Sequence, residues 1–220
     1  MDGILVVNKP TGMTSFRCLS IVKRRLRLGK VGFLGTLDPS ASGVLVLLCG
    51  GYTKMADKLH EGEKTYVSRF LFGVETPSLD LDTEITARSE VIPTRADILA
   101  VLPKMVGDIE ITVPKYSAVH IDGRRAYELA RAGVEFDAPK KVVNVSRFEL
   151  LDCGGLREGE FQFEITCQSG TYIRSLAQVI AGKLGTIAVA SEIIRTKVGD
   201  FDISGAKSID NVTIDDIIQL

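Results

Sequence analysis

The chain has 220 residues, 45% hydrophobic and 25% charged, with 27 Lys/Arg against 28 Asp/Glu and a formal net charge of −1. That length buries a core comfortably, as one large domain or two small ones, and the composition is ordinary for a soluble globular protein. The longest apolar run, Val44 to Cys49, is far short of a membrane span, and the N-terminus enters Gly3-Ile4-Leu5-Val6-Val7 without a basic flank and cleavage site, so a cytoplasmic protein is expected.

Taken in chain order, Gly3 to Val7 reads as a strand closed by Asn8-Lys9-Pro10. Thr14 or Ser15 can cap a helix with Phe16, Leu19, Val22 and Leu26 on its apolar stripe, ending at Gly29, and Lys23, Arg24, Arg25 and Arg27 lie mostly off that stripe. Val44 to Leu48, flanked by glycines, reads as a buried strand. From Lys64 to Gly73 a strand puts Tyr66, Ser68, Phe70 and Phe72 on one face. Thr94 with Asp97 makes a capping-box-like start for a helix to about Met105; Glu110 to Val113, Val142 to Leu151 and Phe161 to Cys167 read as strands. Thr171 to Leu184 reads as a helix with Ile173, Leu176, Ala177, Ile180 and Leu184 inward and Arg174 on its first turn. Strands and helices mixed without strict βαβ alternation predict an α+β fold around one mixed sheet. No linker, repeat or low-complexity segment divides residues 1 to 220, which are expected to form a single domain.

Within this pattern the stretch from Val31 to Leu45 stands apart. One carboxylate, Asp38, lies in an otherwise uncharged turn whose path is fixed by Gly32, Gly35, Gly43 and Pro39. Such an aspartate can simply bond its own backbone, as in many Asp-Pro turns, or be aimed at a substrate from a rigid loop. Charge is also unevenly spread. Residues 1 to 60 hold nine Lys/Arg (9, 17, 23, 24, 25, 27, 30, 54, 58) against three acids (2, 38, 57), while 198 to 220 carries five aspartates against Lys207 alone. A neutral protein can therefore carry a basic face suited to phosphates, although a run such as Lys23-Arg24-Arg25-Arg27 is equally compatible with a solvated helix face. Cys18, Cys49, Cys153 and Cys167 are far apart and form no metal-ligand pattern with the two histidines, so they are expected to be reduced core residues and no metal is expected.

Six ordered motifs give these residues a context. Lys9-Pro10-Thr11-Gly12-Met13-Thr14-Ser15, Gly35-Thr36-Leu37-Asp38-Pro39-Ser40-Ala41-Ser42-Gly43-Val44-Leu45, and Lys64-Thr65-Tyr66 with Leu71-Phe72-Gly73 and Thr76-Pro77-Ser78-Leu79-Asp80 come first. Val113-Pro114-Lys115-Tyr116-Ser117-Ala118, Tyr127 to Gly133 and Cys167-Gln168-Ser169-Gly170-Thr171-Tyr172-Ile173-Arg174 follow. Over about residues 3 to 201 this order resembles the TruB-type tRNA pseudouridine synthases. The resemblance implies the pseudouridine synthase fold, a mainly antiparallel mixed sheet flanked by helices and loops. It also implies isomerisation of the T-loop uridine at position 55 of tRNA, by a monomer and without cofactor or metal.

By the same resemblance Asp38 is the nucleophile, attacking ribose C1′ or uracil C6, and Arg174 is its cationic partner. Tyr66 packs on a uracil that must leave its stack and helps remove the C5 proton. Lys9, Phe33, Lys64, Asp80, Tyr172 and Ile194 fall on the substrate side. Asp80 with Asp82 could instead be a plain turn or a weak cation site. Two departures stand out: Phe33 occupies the place of a usual histidine linked to base flipping, and His120 that of a usual lysine. The chain also stops at Leu220, leaving no room for the small C-terminal RNA-binding domain of most bacterial members, so RNA grip is expected from the catalytic domain alone. The same chemistry on another structured RNA and a non-catalytic RNA chaperone are the competing readings; a glycosidase would need a second opposed carboxylate.

Overall fold

The computed structural model describes residues 1–60 and 62–219. Its principal elements, in chain order, are β1 (Gly3–Lys9), α1 (Ser15–Arg25), β2 (Val31–Leu34), β3 (Ser42–Cys49), β4 (Lys64–Phe72), α2 (Arg95–Val101), β5 (Gly107–Thr112), α3 (Ala126–Arg131), β6 (Lys140–Leu151), β7 (Glu160–Cys167), α4 (Ile173–Lys183) and β8 (Ala188–Val198). The residues group into two compact units: Met1–Val67 with Thr166–Gly170 and Ile193–Leu220, and Ser68–Ile165 with Thr171–Glu192.

In the first unit β3 is central. It pairs antiparallel with β1 from Gly3↔Cys49 to Lys9↔Gly43, antiparallel with β2 from Val31↔Cys49 to Leu34↔Val46, and parallel with β8 at Ile194↔Ser42 and Arg195↔Gly43. One face of β1 and β3 (Leu5, Val7, Leu45, Leu47, Cys49) packs on Cys18, Leu19, Val22 and Leu26 around α1. The other (Ile4, Val44, Val46, Leu48) packs on Leu34, Val198, Tyr52, Phe201 and Ile203. Both faces being covered, β3 reads as an unbroken apolar run rather than an alternating one.

Helix α1 begins where expected, with the Thr14 hydroxyl accepting from the Arg17 amide, but stops at Arg25 rather than running to Gly29. Arg27 takes the left-handed conformation (φ 52°) and the Leu28 amide returns to the Lys23 carbonyl, which ends the helix without a glycine. The inward positions are Ser15, Cys18, Leu19 and Val22, so Phe16, expected on the apolar stripe, instead lies 70% exposed. Its place on the buried face is taken by a serine with a polar task described below.

In the second unit β5 and β6 pair antiparallel, Lys140↔Thr112 to Val145↔Gly107, and Phe70, Phe148 and Phe163 form an aromatic cluster with ring centroids 5.1 to 6.3 Å apart. The Thr94/Asp97 capping box is present as predicted; α2 ends at Val101 and passes into a 3₁₀ turn, Leu102–Met105, at Pro103. Helix α4 starts at Ile173, two residues later than predicted, and buries Arg174 with its apolar face. The four cysteines are unbridged, but only Cys18, Cys49 and Cys167 are buried; Cys153 is half-exposed and not a core residue. Among the described residues no helix is long and apolar enough to cross a membrane.

Candidate active site

The segment between β2 and β3 carries Asp38, and its path is held from outside. The Ser15 hydroxyl donates to the Leu37 carbonyl (3.0 Å) and accepts from the Leu37 amide (2.8 Å), so one buried side chain satisfies both polar groups of the residue before the aspartate. On the other flank the Gly12 amide donates to the Pro39 carbonyl (2.8 Å), and within the turn the Ala41 amide donates to the Asp38 carbonyl (3.1 Å). Lys9 is fully buried, and its ammonium donates to the carbonyls of Met13 (2.7 Å), Pro10 (3.0 Å) and Pro39 (3.4 Å). Lys9, expected on the substrate side, thus ties the Lys9–Ser15 motif to the Asp38 loop. Burial lowers its pKa to about 8, opposed by the nearby charges of Cys18 and Asp38.

Of the three glycines expected to shape this loop, two are required. Gly35 has φ 62°, and a Cβ there would lie 3.0 Å from Lys64 Cε and 3.2 Å from an Arg195 Nη1. Gly43 has φ 106°, and a Cβ would lie 2.1 Å from the Arg195 carbonyl oxygen, because β3 and β8 approach closely at this register. Gly32 is an ordinary residue of β2 where a Cβ would meet only Thr53, at 3.7 Å.

Both close approaches involve Arg195, which the sequence reading passed over beside Ile194. Its guanidinium is 1% exposed, donating to the carbonyls of Val44 (2.8 Å) and Gly35 (2.9 Å), and it hydrogen-bonds the Tyr66 hydroxyl. Tyr66 shares a face of β4 with Ser68, Phe70 and Phe72 as predicted, and that face is buried, with Lys64 two residues before it. Burial pushes the Tyr66 phenol up to about 12, against the pull of the Arg195 charge, and Asp38 also acts on it electrostatically. The Lys64 ammonium donates to the Ser169 hydroxyl (2.6 Å), and burial together with the Arg195 charge lowers it to about 8. A signal for Arg195 existed: an arginine inside a run with the β-branched pattern of a strand is placed inward only when it has acceptors there.

Phe33 projects from β2 and packs, half-buried, on the cluster beneath α1, and Ile194 is half-buried opposite Ser42. The remaining expected site residues belong to the second unit. Asp80 is buried in its own loop, accepting from the Ser78 hydroxyl (2.5 Å) and the Asp82 amide (3.0 Å) and facing Arg174 Nε at 3.7 Å. The Arg174 guanidinium also donates to the carbonyls of Ser78 (2.6 Å) and Tyr116 (3.1 Å). Asp80 has the bonding of a turn, one carboxylate oxygen taking both the Ser78 hydroxyl and the Asp82 amide. Lys141 stands 4.8 Å over the Tyr172 ring. A cavity of about 620 Å³ in this unit is bounded by Leu79, Tyr116, Val134, Ser175 and Gln178, and Leu79 there has a left-handed φ of 62°.

The pattern of the TruB family pseudouridylate synthase N-terminal domain matches residues 23–173. The tRNA pseudouridine synthase B of Geobacillus thermodenitrificans is 43% identical over 217 residues, covering 96% of this chain and 72% of that protein. That of Geobacillus kaustophilus is 42% identical over 222 residues, covering 99% and 76%. The chain belongs to the TruB family of pseudouridylate synthases. A chain of the solved Cbf5-Nop10-Gar1 complex superposes with a TM-score of 0.72 at 26% identity, covering 95% of this chain and 53% of that one. The predicted fold therefore stands: an α+β pseudouridine synthase with a mixed, mostly antiparallel sheet. As a TruB-type pseudouridylate synthase the protein is an isomerase, exchanging the N1–C1′ bond of a uridine for a C5–C1′ bond. In this chain Lys9–Ser15 and Gly35–Leu45 are one structural device, because the first motif supplies the bonds that hold the second.

Proposed function

We propose that the chain isomerises the T-loop uridine at position 55 of tRNA, with Asp38 as nucleophile and the uracil flipped out against Tyr66. The observation that carries this reading is the Asp38 loop, pinned at Leu37 by Ser15 and at Pro39 by Gly12 and Lys9. A turn aspartate that only caps its own backbone does not need clamps on both neighbours, whereas a nucleophile must be aimed within a fraction of an ångström. The relatives' naming as tRNA enzymes supports the choice of RNA.

In this reading the Asp38 carboxylate either displaces N1 from C1′ or adds to C6 before the N1–C1′ bond breaks; the freed uracil turns, C5 bonds to C1′, the bond from Asp38 to C1′ or C6 breaks to return the carboxylate, and the C5 proton leaves to a base while N1 takes one up. Atoms and electrons balance without cofactor or metal, and the reaction suits a cytoplasmic monomer. Tyr66 is the pocket wall; its phenol oxygen accepts from Arg195, and it takes part in removing the C5 proton. Lys64 and Ile194 line the substrate side from β4 and β8, Phe33 supplies a stacking surface where the family usually has histidine, and Lys9 acts through the loop. Arg174, Asp80 and Tyr172 enter on the resemblance: Arg174 as the carboxylate's cation, and Asp80 and Tyr172 as substrate contacts. Asp80 and Arg174 are held buried by Ser78, Asp82 and Tyr116.

The test is tritium release from C5-labelled uridine in unmodified tRNA, comparing wild type with Asp38→Asn. Release by the wild type that vanishes in the variant is the expected result. Binding without release by either protein overturns the assignment and favours the chaperone reading or another RNA.

A further inference from the structure

We infer that the outer face of α1 is an RNA-docking surface, distinct from the Asp38 pocket, that takes the phosphate backbone flanking the target uridine, with Phe16 stacking on a base. The inference rests on the RNA-modifying reading given above.

The charge is unusual. No Asp or Glu occurs between Asp2 and Asp38, yet this stretch holds Arg17, Lys23, Arg24, Arg25, Arg27 and Lys30, all exposed. Elsewhere several cations are matched, as in Arg69–Glu192, Arg95–Asp152, Lys140–Glu110, Arg147–Glu164 and Lys207–Asp216. None of the six has an acidic partner among the described residues, so their mutual repulsion is left in place. Helix stability explains only some of them. Lys23, Arg24 and Arg25 in the last turn suit the helix dipole, but Arg17 lies in the first turn, where the dipole disfavours a cation, and Arg27 and Lys30 lie beyond the helix. A polyanion that neutralises the whole set accounts for all six.

Phe16 is the second observation. It is 70% exposed, next to the Ser15 that holds Leu37, so an aromatic face stands at the end of α1 nearest Asp38. From there the 11-residue helix carries its cations away from the loop over about 16 Å. An aromatic near the reacting nucleotide followed by a line of cations is the arrangement used by proteins that stack on bases and track a backbone. A membrane surface is a poor fit, because Leu19, Val22 and Leu26 are committed to the core and leave α1 no apolar face to insert.

The test measures binding of the wild type and variants to an unmodified T-arm stem-loop transcript as a function of salt, with multiple-turnover kinetics on tRNA alongside. For Lys23→Gln/Arg24→Gln/Arg27→Gln, affinity at low salt should fall at least about tenfold and the slope of log K against log salt should shrink by about 2, as expected for three lost phosphate contacts. Phe16→Ala should weaken binding about tenfold and Phe16→Tyr should restore it, since a stack tolerates the hydroxyl. In each case the loss should fall on KM. Affinity and salt slope unchanged in the triple variant, with the wild type active on tRNA, would give this face to an acidic protein partner and sink the docking surface alone. A wild type that neither binds the RNA nor turns it over would sink both this surface and the function on which it rests.

Discussion

The Arg195 guanidinium hydrogen-bonds the Tyr66 hydroxyl while donating to the Val44 and Gly35 carbonyls at 2.8 and 2.9 Å. One planar cation therefore fixes the phenol, the strand that follows the Asp38 loop, and the glycine that opens it. Lysine has the charge but not the fork, and it cannot serve three acceptors in these directions.

Arg195→Lys is expected to cost about 1–3 kcal/mol of stability, because at least one buried acceptor loses its donor. Tyr66→Phe should cost less in stability yet lower kcat by about 10²-fold or more, if the phenol serves in proton transfer. A double-mutant cycle on Tm and on kcat separates the two roles. Strict additivity of Arg195→Lys and Tyr66→Phe in kcat would show that the guanidinium does not act through the tyrosine.

Ser15→Ala leaves the Leu37 amide and carbonyl without their shared partner. Both are buried, so a loss of about 1–3 kcal/mol is expected. Activity should fall more than stability predicts, because Leu37 directly precedes the nucleophile. Denaturant titration beside tritium release checks this, and Ser15→Thr should recover part of both.

Gly43→Ala puts a methyl 2.1 Å from the Arg195 carbonyl oxygen at a φ of 106°, whereas Gly32→Ala adds only an ordinary contact with Thr53 at 3.7 Å. The first should lower Tm by several degrees or prevent folding, through backbone strain of about 1–3 kcal/mol or more. The second should fold normally. Equal melting temperatures for the two variants would contradict the close β3/β8 approach.

Lys64 gives a pH signature. Its folded pKa is about 8 against 10.5 for a free lysine, so between these values the unfolded chain binds more protons than the folded one. Stability from this group therefore rises as pH climbs from about 8 to 10.5 and is lost as pH falls back through 8. Urea melts of wild type and Lys64→Met should diverge in slope over that window by up to about 1.4 kcal/mol per pH unit, and run parallel below pH 7. Parallel curves throughout would place the Lys64 titration outside that window.

Much of this architecture is legible in the residues. Val44 to Leu48 announces a doubly covered strand, the Thr94/Asp97 box a helix start, and the alternation around Tyr66 and Phe70 a half-buried strand, because each depends on local periodicity or capping. Phe16 misled, because a helical stripe is ambiguous by one position and the inward place went to a hydrogen-bonding serine. Strand β8 escaped notice because Ser191, Glu192, Arg195 and Thr196 interrupt its apolar residues; three of them are satisfied by long-range bonds, Ser191 to the Arg69 carbonyl, Arg195 to Gly35 and Thr196 to the Thr65 carbonyl. Asp38 stood out because it is chemically alone in its segment, whereas Arg195, whose acceptors lie 151 and 160 residues away, could not.

The Ser15 bond to Leu37 divides the labour of α1 lengthwise. The inward side sets the direction in which the aspartate points, and the outward side is at liberty to change. On the proposed docking surface, substitutions among Arg17, Lys23, Arg24, Arg27 and Lys30 would change how tightly and how salt-sensitively RNA is gripped, while the Ser15 bond that orients the Asp38 loop is left in place. If that surface docks RNA, a single helix would let the strength of RNA grip drift independently of turnover, and laboratory selection for tighter or looser binding would begin there.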